Sequence, residues 1–510
     1  MNDLVIVPIL LPAVVAAVCL LRRFRLSNWG PVLSGLSTLL ILASALALFV
    51  SAADGTITTY ELGNWPAPFG IVLVLDRLSA LMVLLTSVLA VVVLAHAILT
   101  GLDRRGMHFH PLFQFQLLGL NGSFLTGDLF NLFVFFEVLL IASYGLMLHG
   151  QGEKRLHAGV KYVVVNLVGS TLFLIAVGIL YGVTGTLNMA DMAQRVAEAP
   201  AGDQPLIRAG AQLLIAVFAL KAALLPFHLW LPQTYGATSP GVAALFAILT
   251  KAGVYPIIRV TVLVFGAEAG AAAFAPAVWM LPAAMLTIIA GYFGVLAAGN
   301  LRRLAAFGVI GSTGTLMVAV GLFTPEGIAA ALYYIPHSVL AGALVFLVAD
   351  LVLRARGADG DDLRPGRPFA GIGEVSVLFM LAAIALAGLP PLSGFVGKVL
   401  ILDASAGAAP APWLWGAVLI ATFFAILGLV RAGSTLFWKA GGDPAEAPAR
   451  RHRFATAPAW VLVALVAALT VFAGPVTDYA GDTSAQLFAR TPYIEAVLGD
   501  AAAGEEKGPR

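Results

Sequence analysis

The sequence predicts an all-α polytopic membrane protein with about fourteen transmembrane helices. Of its 510 residues, 60% are hydrophobic and only 11% are charged, and the mean hydropathy is +0.95. Apolar windows of the ~20 residues that a membrane span requires recur along the whole chain. Basic residues concentrate in alternate loops, as in proteins that cross a membrane repeatedly.

The first apolar segment is expected to be a retained helix. The N-terminal residues MNDLVIVPIL lack the basic stretch that opens a signal peptide, and the first basic cluster follows the apolar run. The predicted helices begin near residues 4, 30, 77, 111, 129, 158, 209, 240, 275, 306, 327, 372, 412 and 458.

Loop charge predicts that both termini lie outside. If the N-terminus is outside, the loops that should be cytoplasmic hold 17 of the 29 Lys and Arg residues. The alternate loops, including 53–76 and 186–206, are poor in basic residues. The basic segments are 22–25, 102–105, 153–155, 301–303, 353–367 and 438–453.

Two predicted helices are interrupted in a similar way. Pro226 breaks the seventh, and Pro390 and Pro391 break the twelfth, because proline lacks the amide that a helix needs. The two broken helices are five helices apart. Because the chain changes direction with each span, an odd offset places the second group of helices upside down relative to the first, as in the inverted repeats of transporters. The predicted segments are 1–110 with helices 1–3, 111–266 with helices 4–8, 267–436 with helices 9–13, and 437–510 with helix 14 and an external tail.

Composition and motifs argue against a cofactor in this chain. Cys19 is the single cysteine, which rules out an intramolecular disulfide and a multi-cysteine metal or iron–sulfur site. No Walker A, HExxH or paired CxxC motif occurs. The net charge of +2 gives no reason to expect nucleic acid. Whether a metal ion binds is left open, since no cluster of carboxylates marks a site for one.

Five ionisable side chains are predicted at membrane depth. A charge at the centre of a membrane helix costs roughly 2.5–3.5 kcal/mol, so such residues face a partner, a cavity or an ion path. Lys221 and Lys251 each lie about eleven or twelve residues into a helix, hence near the middle of a ~30 Å hydrocarbon layer. The five are Glu137, Lys221, Lys251, His337 and Lys398.

One carboxylate cannot neutralise three lysines at this depth. Burial favours the neutral form of a lysine and a nearby carboxylate favours the charged form, so the proton affinity of such lysines can be switched. At ~4 Å and an effective dielectric of ~20, one ion pair contributes about 4 kcal/mol. The pattern therefore favours a proton path, with a static Glu–Lys pair and a histidine bonded to a backbone carbonyl as structural alternatives.

Other polar residues give weaker signals. His228 lies two residues after Pro226. Two roles are held equal for it: a part in the proton path, and a hydrogen bond to a backbone group that the helix break leaves without a partner. Three basic residues are expected to anchor helix ends or to bond freed carbonyls: Arg259, Arg431 and Lys161. Six others are expected on solvated faces rather than in proton uptake: Asp76, Asp128, Asp350, Asp403, His108 and His110.

Three stretches resemble a known family. They are NLFVFFEVLLIASYGLMLHG (131–150), KAALLPFHLWLPQTYGATSPGVAALFAILTKAGVYPIIR (221–259) and LAGLPPLSGFVGK (386–398). They are similar to the antiporter-like subunits shared by respiratory complex I and the Mrp multisubunit cation/proton antiporters, and most similar to the D-type branch of the Mrp subunits. The resemblance implies a bacterial cell-membrane protein that moves protons within a Na⁺/H⁺ antiporter, with Mrp subunits A, B, C, E, F and G as partners.

The resemblance also implies roles for the five buried residues. Glu137 and Lys221 match the family's driving pair, Lys251 its central lysine, and His337 and Lys398 the end of a relay in that order. Many relatives carry a lysine four residues after the histidine, where this chain has Ala341. The path from Lys251 to Lys398 is therefore expected to depend more heavily on His337 and water.

Two other functions remain open from the sequence. The same helices can pump protons in a complex I-like oxidoreductase or a membrane-bound hydrogenase, and genes for iron–sulfur or flavin subunits nearby would favour that alternative. A non-conducting scaffold is the second, and substitution of Glu137 or Lys221 would distinguish it.

Overall fold

The computed structural model describes residues 2–21, 29–441 and 454–499. Within them the chain forms α-helices joined by short turns, plus one small hairpin. The helices are α1 (Val7–Leu21), α2 (Gly30–Ala52), α3 (Arg77–Thr100), α4 (Phe109–Leu125), α5 (Leu129–Leu148), α6 (Glu153–Thr184), α7 (Met189–Ala197), α8 (Gln204–Lys221), α9 (Trp230–Ala237), α10 (Pro240–Phe246), α11 (Leu249–Leu263), α12 (Ala277–Ala297), α13 (Leu301–Val320), α14 (Pro325–Ala355), α15 (Ile372–Ala387), α16 (Ser393–Ser405), α17 (Ala411–Gly433), α18 (Ala457–Val471), α19 (Ala473–Phe488) and α20 (Arg490–Leu498).

The all-α membrane class is confirmed. Ten helical segments of the described chain are long and apolar enough to cross a membrane, or eleven if α18 and α19, which meet at 76°, form one span. Three of the fourteen predicted spans are not among these eleven. The fourth corresponds to α4, which has only 17 residues, and the seventh and twelfth are broken. The count of fourteen, the inverted repeat and the division into four segments stay predictions.

The two predicted helix breaks are confirmed. Helix α8 ends at Lys221 and α9 begins at Trp230, with Pro226 between them. Helix α15 ends at Ala387 and α16 begins at Ser393, so the two prolines fall in the gap. Since proline cannot donate to the preceding turn, each gap leaves carbonyl groups free for other partners.

A third break was not predicted. Helix α10 ends at Phe246 and α11 begins at Leu249, so the span of residues 240–263 has a two-residue irregularity just before Lys251, although the backbone dihedrals there stay helical. Neither proline nor glycine occupies the two intervening positions, which are Ala247 and Ile248. The sequence therefore carries no local signal for this interruption.

The centre of the molecule is formed by the span of α10 and α11 together with α13 and α14. The most apolar window of these segments is 100%, 89% and 83% buried, respectively, compared with 39% for α2 at the periphery. Helices that are apolar all round are typical of a buried position. Two of the predicted ionisable residues, Lys251 on α11 and His337 on α14, consequently lie in the interior.

Both long loops contain regular structure. Strands β1 (Thr58–Glu61) and β2 (Val72–Leu75) form an antiparallel hairpin within 53–76, with Thr58 opposite Leu75. Helix α7 lies within the predicted loop 186–206. After α18 the chain continues through α19, which packs along α14, and α20, which contacts α7. The basic segment 22–25, residues 442–453 and the terminal AAAGEEKGPR lie outside the described residues.

Candidate functional site: a buried row of ionisable side chains

Glu137 lies in the middle of α5 and is held by α6. The Asp128 carboxylate caps α5 by accepting a hydrogen bond from the Asn131 amide at 2.7 Å. Two turns further on, Glu137 is partly buried, and its Oε1 accepts a hydrogen bond from the Ser170 hydroxyl. A hydroxyl donor stabilises the carboxylate without neutralising its charge.

Lys221 is the last residue of α8, at the edge of the first break. Its side chain is 9% exposed, and its Nζ donates to Asn166 Oδ1 at 3.0 Å. Glu137 acts electrostatically on Lys221, but no direct ion pair joins them in the described structure. Asn166 and Ser170 are four residues apart and share one face of α6. The same face of α6 therefore binds both the ammonium and the carboxylate.

A small cavity adjoins Lys221 on the side of α11. It measures about 20 Å³ and is lined by Asn166, Lys221, Trp230 and Gly253 among others. A space of this size holds one water molecule if polar partners are present, as they are here. At Gly253 a Cβ atom would lie 2.5 Å from the Ala222 amide nitrogen, so α11 packs directly against the end of α8.

Lys251 lies in the first turn of α11 and is completely buried. Its Nζ donates to the Thr250 hydroxyl at 3.2 Å. No carboxylate lies within ion-pair distance of this ammonium among the described residues. The charge of a protonated Lys251 is therefore poorly compensated by its described surroundings.

His337 lies between the two last lysines of the row. It is 1% exposed, and its Nδ1 is 2.9 Å from the Ser393 hydroxyl at the start of α16. Both Lys251 and Lys398 act electrostatically on its ring. At Gly394 a Cβ atom would lie 2.7 Å from Nε2, so the histidine packs against the second break.

Lys398 uses a carbonyl that the second break sets free. Its Nζ donates to the Ala387 carbonyl at the end of α15 and to the Thr422 hydroxyl, each at 2.7 Å. The ammonium also lies 5.3 Å from the centre of the Tyr292 ring. As at the other two lysines, all its described partners are uncharged.

Tyrosine and serine side chains connect the last two groups. The hydroxyls of Tyr292 and Tyr334 interact, and the Tyr334 ring centre lies 5.2 Å from that of His337. Sequence reasoning missed these tyrosines, as well as Asn166, Ser170 and Ser393. For Asn166 and Ser170 the spacing of four residues within an apolar helix was an available signal.

Several predictions about the remaining polar residues were wrong. Arg259 bonds no freed carbonyl; its two terminal nitrogens contact both Asp76 oxygens at 2.5 and 2.7 Å, with both side chains buried. Four residues expected on solvated faces are buried instead: Asp76, Asp128, Asp350 and His110. Asp403 is exposed, as predicted.

Two predictions about freed backbone groups agree better with the structure. Arg431 donates to the Ala298 carbonyl just beyond the end of α12, which confirms its predicted contact. His228 is partly buried and its ring contacts the Pro226 backbone, while its Nδ1 has no described partner. The backbone contact fits one of its two predicted roles. No group of three or more His, Cys, Asp or Glu side chains in the described residues is arranged to hold a metal ion.

Known membrane proteins are similar to this chain over most of its length. Residues 126–425 match the family model described as NADH:quinone oxidoreductase/Mrp antiporter, TM. The chain is 41% identical to the D-type subunit of a probable K⁺/H⁺ antiporter of Rhizobium meliloti, with 99% of each chain covered. It is 36% identical to the D-type subunit of a Na⁺/H⁺ antiporter of Alkalihalophilus pseudofirmus, covering 98% of this chain and 100% of that one.

A solved structure extends this similarity to three dimensions. A chain in the structure of the Mrp complex from Dietzia sp. DQ12-45-1b superimposes with a TM-score of 0.87 and 28% identity, over 98% of this chain and 100% of that chain. These relatives are transporter subunits, which confirms the predicted transporter class. The chain therefore belongs to the NADH:quinone oxidoreductase/Mrp antiporter family of membrane subunits, in the branch of the D-type antiporter subunits.

Proposed function

We propose that this chain is the proton-translocating subunit of a multisubunit monovalent cation/H⁺ antiporter, and that protons pass along Glu137, Lys221, Lys251, His337 and Lys398. One observation carries the proposal. The three buried lysines bond only uncharged partners in the described structure, namely Asn166, Thr250, the Ala387 carbonyl and Thr422.

Glu137 sets the charge of the first lysine in this mechanism. A carboxylate that approaches Lys221 stabilises the ammonium, by about 4 kcal/mol at ~4 Å and an effective dielectric of ~20. When Glu137 moves away, Lys221 loses this support and passes its proton toward Lys251, with the cavity beside it holding the connecting water. His337 and Lys398 then receive the proton in turn.

A partner protein covers Glu137 in this proposal. The exposed face of α5 carries Phe130, Val134 and Ile141, which are 45%, 39% and 63% exposed, and Glu137 lies among them. A carboxylate left against lipid costs about 2.5–3.5 kcal/mol, so another protein surface is the favourable neighbour. Among the Mrp subunits A, B, C, E, F and G proposed as partners, we assign this place to the small C-type subunit, which supplies a second carboxylate.

The complex is placed in the bacterial cell membrane with both termini of this chain outside. Na⁺ is the proposed exchanged cation, and K⁺ is the alternative, because the relatives named above differ in this respect. The path of the cation is assigned to another subunit or an interface, since the described residues offer no carboxylate cluster.

A redox-driven pump is the competing function, because the matching family model includes the oxidoreductase subunits. Purification of the native complex separates the two. Small membrane subunits without flavin or iron–sulfur proteins are expected for the antiporter, and soluble redox subunits would establish the alternative.

The relay is tested in the assembled complex. Glu137→Ala and Lys221→Ala are expected to abolish cation-dependent proton transport in everted membrane vesicles while leaving assembly intact. Lys161→Ala is the matched control, since Lys161 is an exposed lysine on α6. Near-normal transport in either relay variant would contradict the proposal, and loss of assembly in both would favour the scaffold function.

A further inference from the structure

A second buried charge cluster lies at the end of the molecule predicted to be cytoplasmic. His96 of α3 is completely buried, and its Nε2 is 2.9 Å from Asp350 Oδ2 of α14, which is 1% exposed. Arg354, one turn further along α14, donates from Nε to the same oxygen and from Nη1 to the Thr100 carbonyl at 2.8 Å. Because Asp350 was expected on a solvated face, sequence reasoning missed this cluster.

His96 has one ring nitrogen committed and one free. Nε2 is bonded to the carboxylate, whereas the buried Nδ1 has no hydrogen-bond partner in the described structure. A buried polar atom without a partner costs free energy unless a water molecule bonds to it. The ionised Asp350 carboxylate compensates an imidazolium when Nδ1 takes up a proton.

The charged surroundings of the pair are limited. The Asp350 carboxylate faces Arg354, which is also on α14. Arg105, an exposed residue in the turn after α3, acts on Asp350 electrostatically. From α10 the His96 ring meets Gly241, where a Cβ atom would lie 3.4 Å from Cδ2. The Arg354 side chain is 24% exposed, so the cluster reaches solvent on that side.

The position of the pair links it to the row of ionisable residues. Gly241 begins the span that carries Lys251 ten residues later, about 15 Å along a helix at 1.5 Å per residue. Asp350 lies on the same helix as His337, thirteen residues further on. The pair therefore joins α3 to α14, beside the start of α10, at the solvent-facing end. Ser239, just before α10, also has a buried hydroxyl without a described partner.

We propose that His96 and Asp350 form the site at which protons are exchanged between the predicted cytoplasmic face and the row of Lys251 and His337. The proposal rests on the proton-relay function above. Nδ1 of neutral His96 accepts a proton from water, which yields an imidazolium paired with the Asp350 carboxylate. Release of this proton from Nδ1 to a water molecule in the protein interior, on the side of Lys251 and His337, restores the neutral ring, so charge and protons balance.

The test compares transport and its pH profile in vesicles that contain the whole complex. His96→Gln keeps an amide that can donate to Asp350 but cannot titrate. Its cation-dependent proton transport is expected to fall about 100-fold, in the range typical of a lost acid–base group, and to lose its dependence on pH at the cytoplasmic face. The control is Asp361→Asn, which weakens the Arg302–Asp361 ion pair, also at the predicted cytoplasmic end.

A second variant addresses folding. The double variant His96→Gln/Asp350→Asn replaces the charged pair with two amides and is expected to assemble without transporting. Normal transport and an unchanged pH profile in either assembled variant would overturn the proposal. Failure of both to assemble would also overturn it and establish a static clamp between α3 and α14. Normal transport in Lys221→Ala would refute the proposed relay. Normal transport in His96→Gln, together with lost transport in Lys221→Ala, would refute only the proposed role of His96 and Asp350.

Discussion

At the residue scale, the uncharged partners of the buried lysines are the informative feature. Lys221 is held by Asn166, which itself donates to the Tyr162 carbonyl at 2.8 Å and is thereby fixed in position. An amide oxygen stabilises an ammonium by less than a carboxylate does, because the amide oxygen carries only a partial negative charge and the carboxylate a full one. In the proposed relay, this uncharged partner leaves the proton on Lys221 free to be passed on.

Asn166→Leu tests this at the first lysine. The substitution keeps the approximate volume but removes the acceptor, and loss of a hydrogen bond to a charged group costs about 1.5–3 kcal/mol. We expect proton transport to fall roughly 10- to 100-fold, with normal amounts of assembled complex. The matched control is Leu167→Ala, an exposed position on the same helix. Unchanged transport in Asn166→Leu would mean that Lys221 needs no fixed partner.

His337→Gln tests the role of the central histidine. Glutamine can still bond the Ser393 hydroxyl, but it cannot carry a proton, so the relay is expected to lose about 100-fold or more in rate. Ser393→Ala serves as the comparison, because it removes the bond and leaves the ring titratable. Fluorescence quenching in vesicles measures both. If His337→Gln transports like the wild type, the histidine has only a structural role.

At the element scale, interrupted helices supply polar groups to the proposed relay. The end of α15 presents the Ala387 carbonyl to Lys398, and Lys221 stands at the end of α8. Inside a membrane, free backbone groups are tolerated where protein or water satisfies them. Breaks thus provide hydrogen-bonding sites without introducing further charges.

The cap of α5 provides a test by pH. Burial raises the pKa of the Asp128 carboxyl above its ordinary value to about 6, against the bonds donated by the backbone amides of Asn131 and Phe130. A carboxyl with a raised folded-state pKa contributes stability that is complete below its unfolded pKa and is lost as the pH rises through about 6. The folded protein should therefore lose stability between about pH 4 and pH 6.

Asp128→Asn removes this loss while retaining an oxygen that can cap the helix. At pH 7–8 the variant should be more stable than the wild type by at most about 3 kcal/mol, at 1.36 kcal/mol per pKa unit. Thermal denaturation of the purified complex at several pH values measures the difference. Asp203→Asn is the control, because Asp203 precedes α8 without making a capping bond. A wild-type pH profile in Asp128→Asn would contradict the expected effect.

At the scale of the whole molecule, one buried ion pair joins distant parts of the chain. Asp76 follows β2 and caps α3 through Ser79, and Arg259 of α11 binds both of its carboxylate oxygens. The guanidinium also lies 5.2 Å from the ring centre of Tyr493 on α20. The N-terminal helices, the Lys251 helix and the C-terminal helices therefore meet at this pair.

Asp76→Ala is expected to destabilise the molecule by about 3–5 kcal/mol, because it leaves the Arg259 charge buried without a partner. Thermal denaturation and the yield of assembled complex report the change. Glu268→Ala is the matched control: its ion pair with Arg490 is solvent-exposed, with the Glu268 side chain 72% exposed, and should contribute about 0–1 kcal/mol. Equal effects of the two substitutions would show that burial of the pair is unimportant.

Hydropathy and proline positions were sufficient to predict much of the fold. Most predicted helix starts lie within five residues of the observed starts. Helix α14, for example, was predicted to begin near residue 327 and begins at 325, and α17 was predicted near 412 and begins at 411. Periodicity failed where tertiary contacts decide: the break before Lys251 has no sequence signal, and the hairpin and α7 lay in segments taken as loops. The prediction of which aspartates are buried was also wrong, since the sequence around an Asp near a span end is similar whether its side chain is buried or solvated.

The sequence by itself determined the membrane class, the two proline breaks and the identity of five ionisable residues at membrane depth, because apolar length and backbone chemistry are local properties. Only the tertiary structure decided what surrounds those residues. Asn166 bonds Lys221 and Ser170 bonds Glu137. Ser393 bonds His337, and His96 pairs with Asp350 across 254 positions of sequence. Such contacts arise from helix packing, which brings together residues that no local pattern connects.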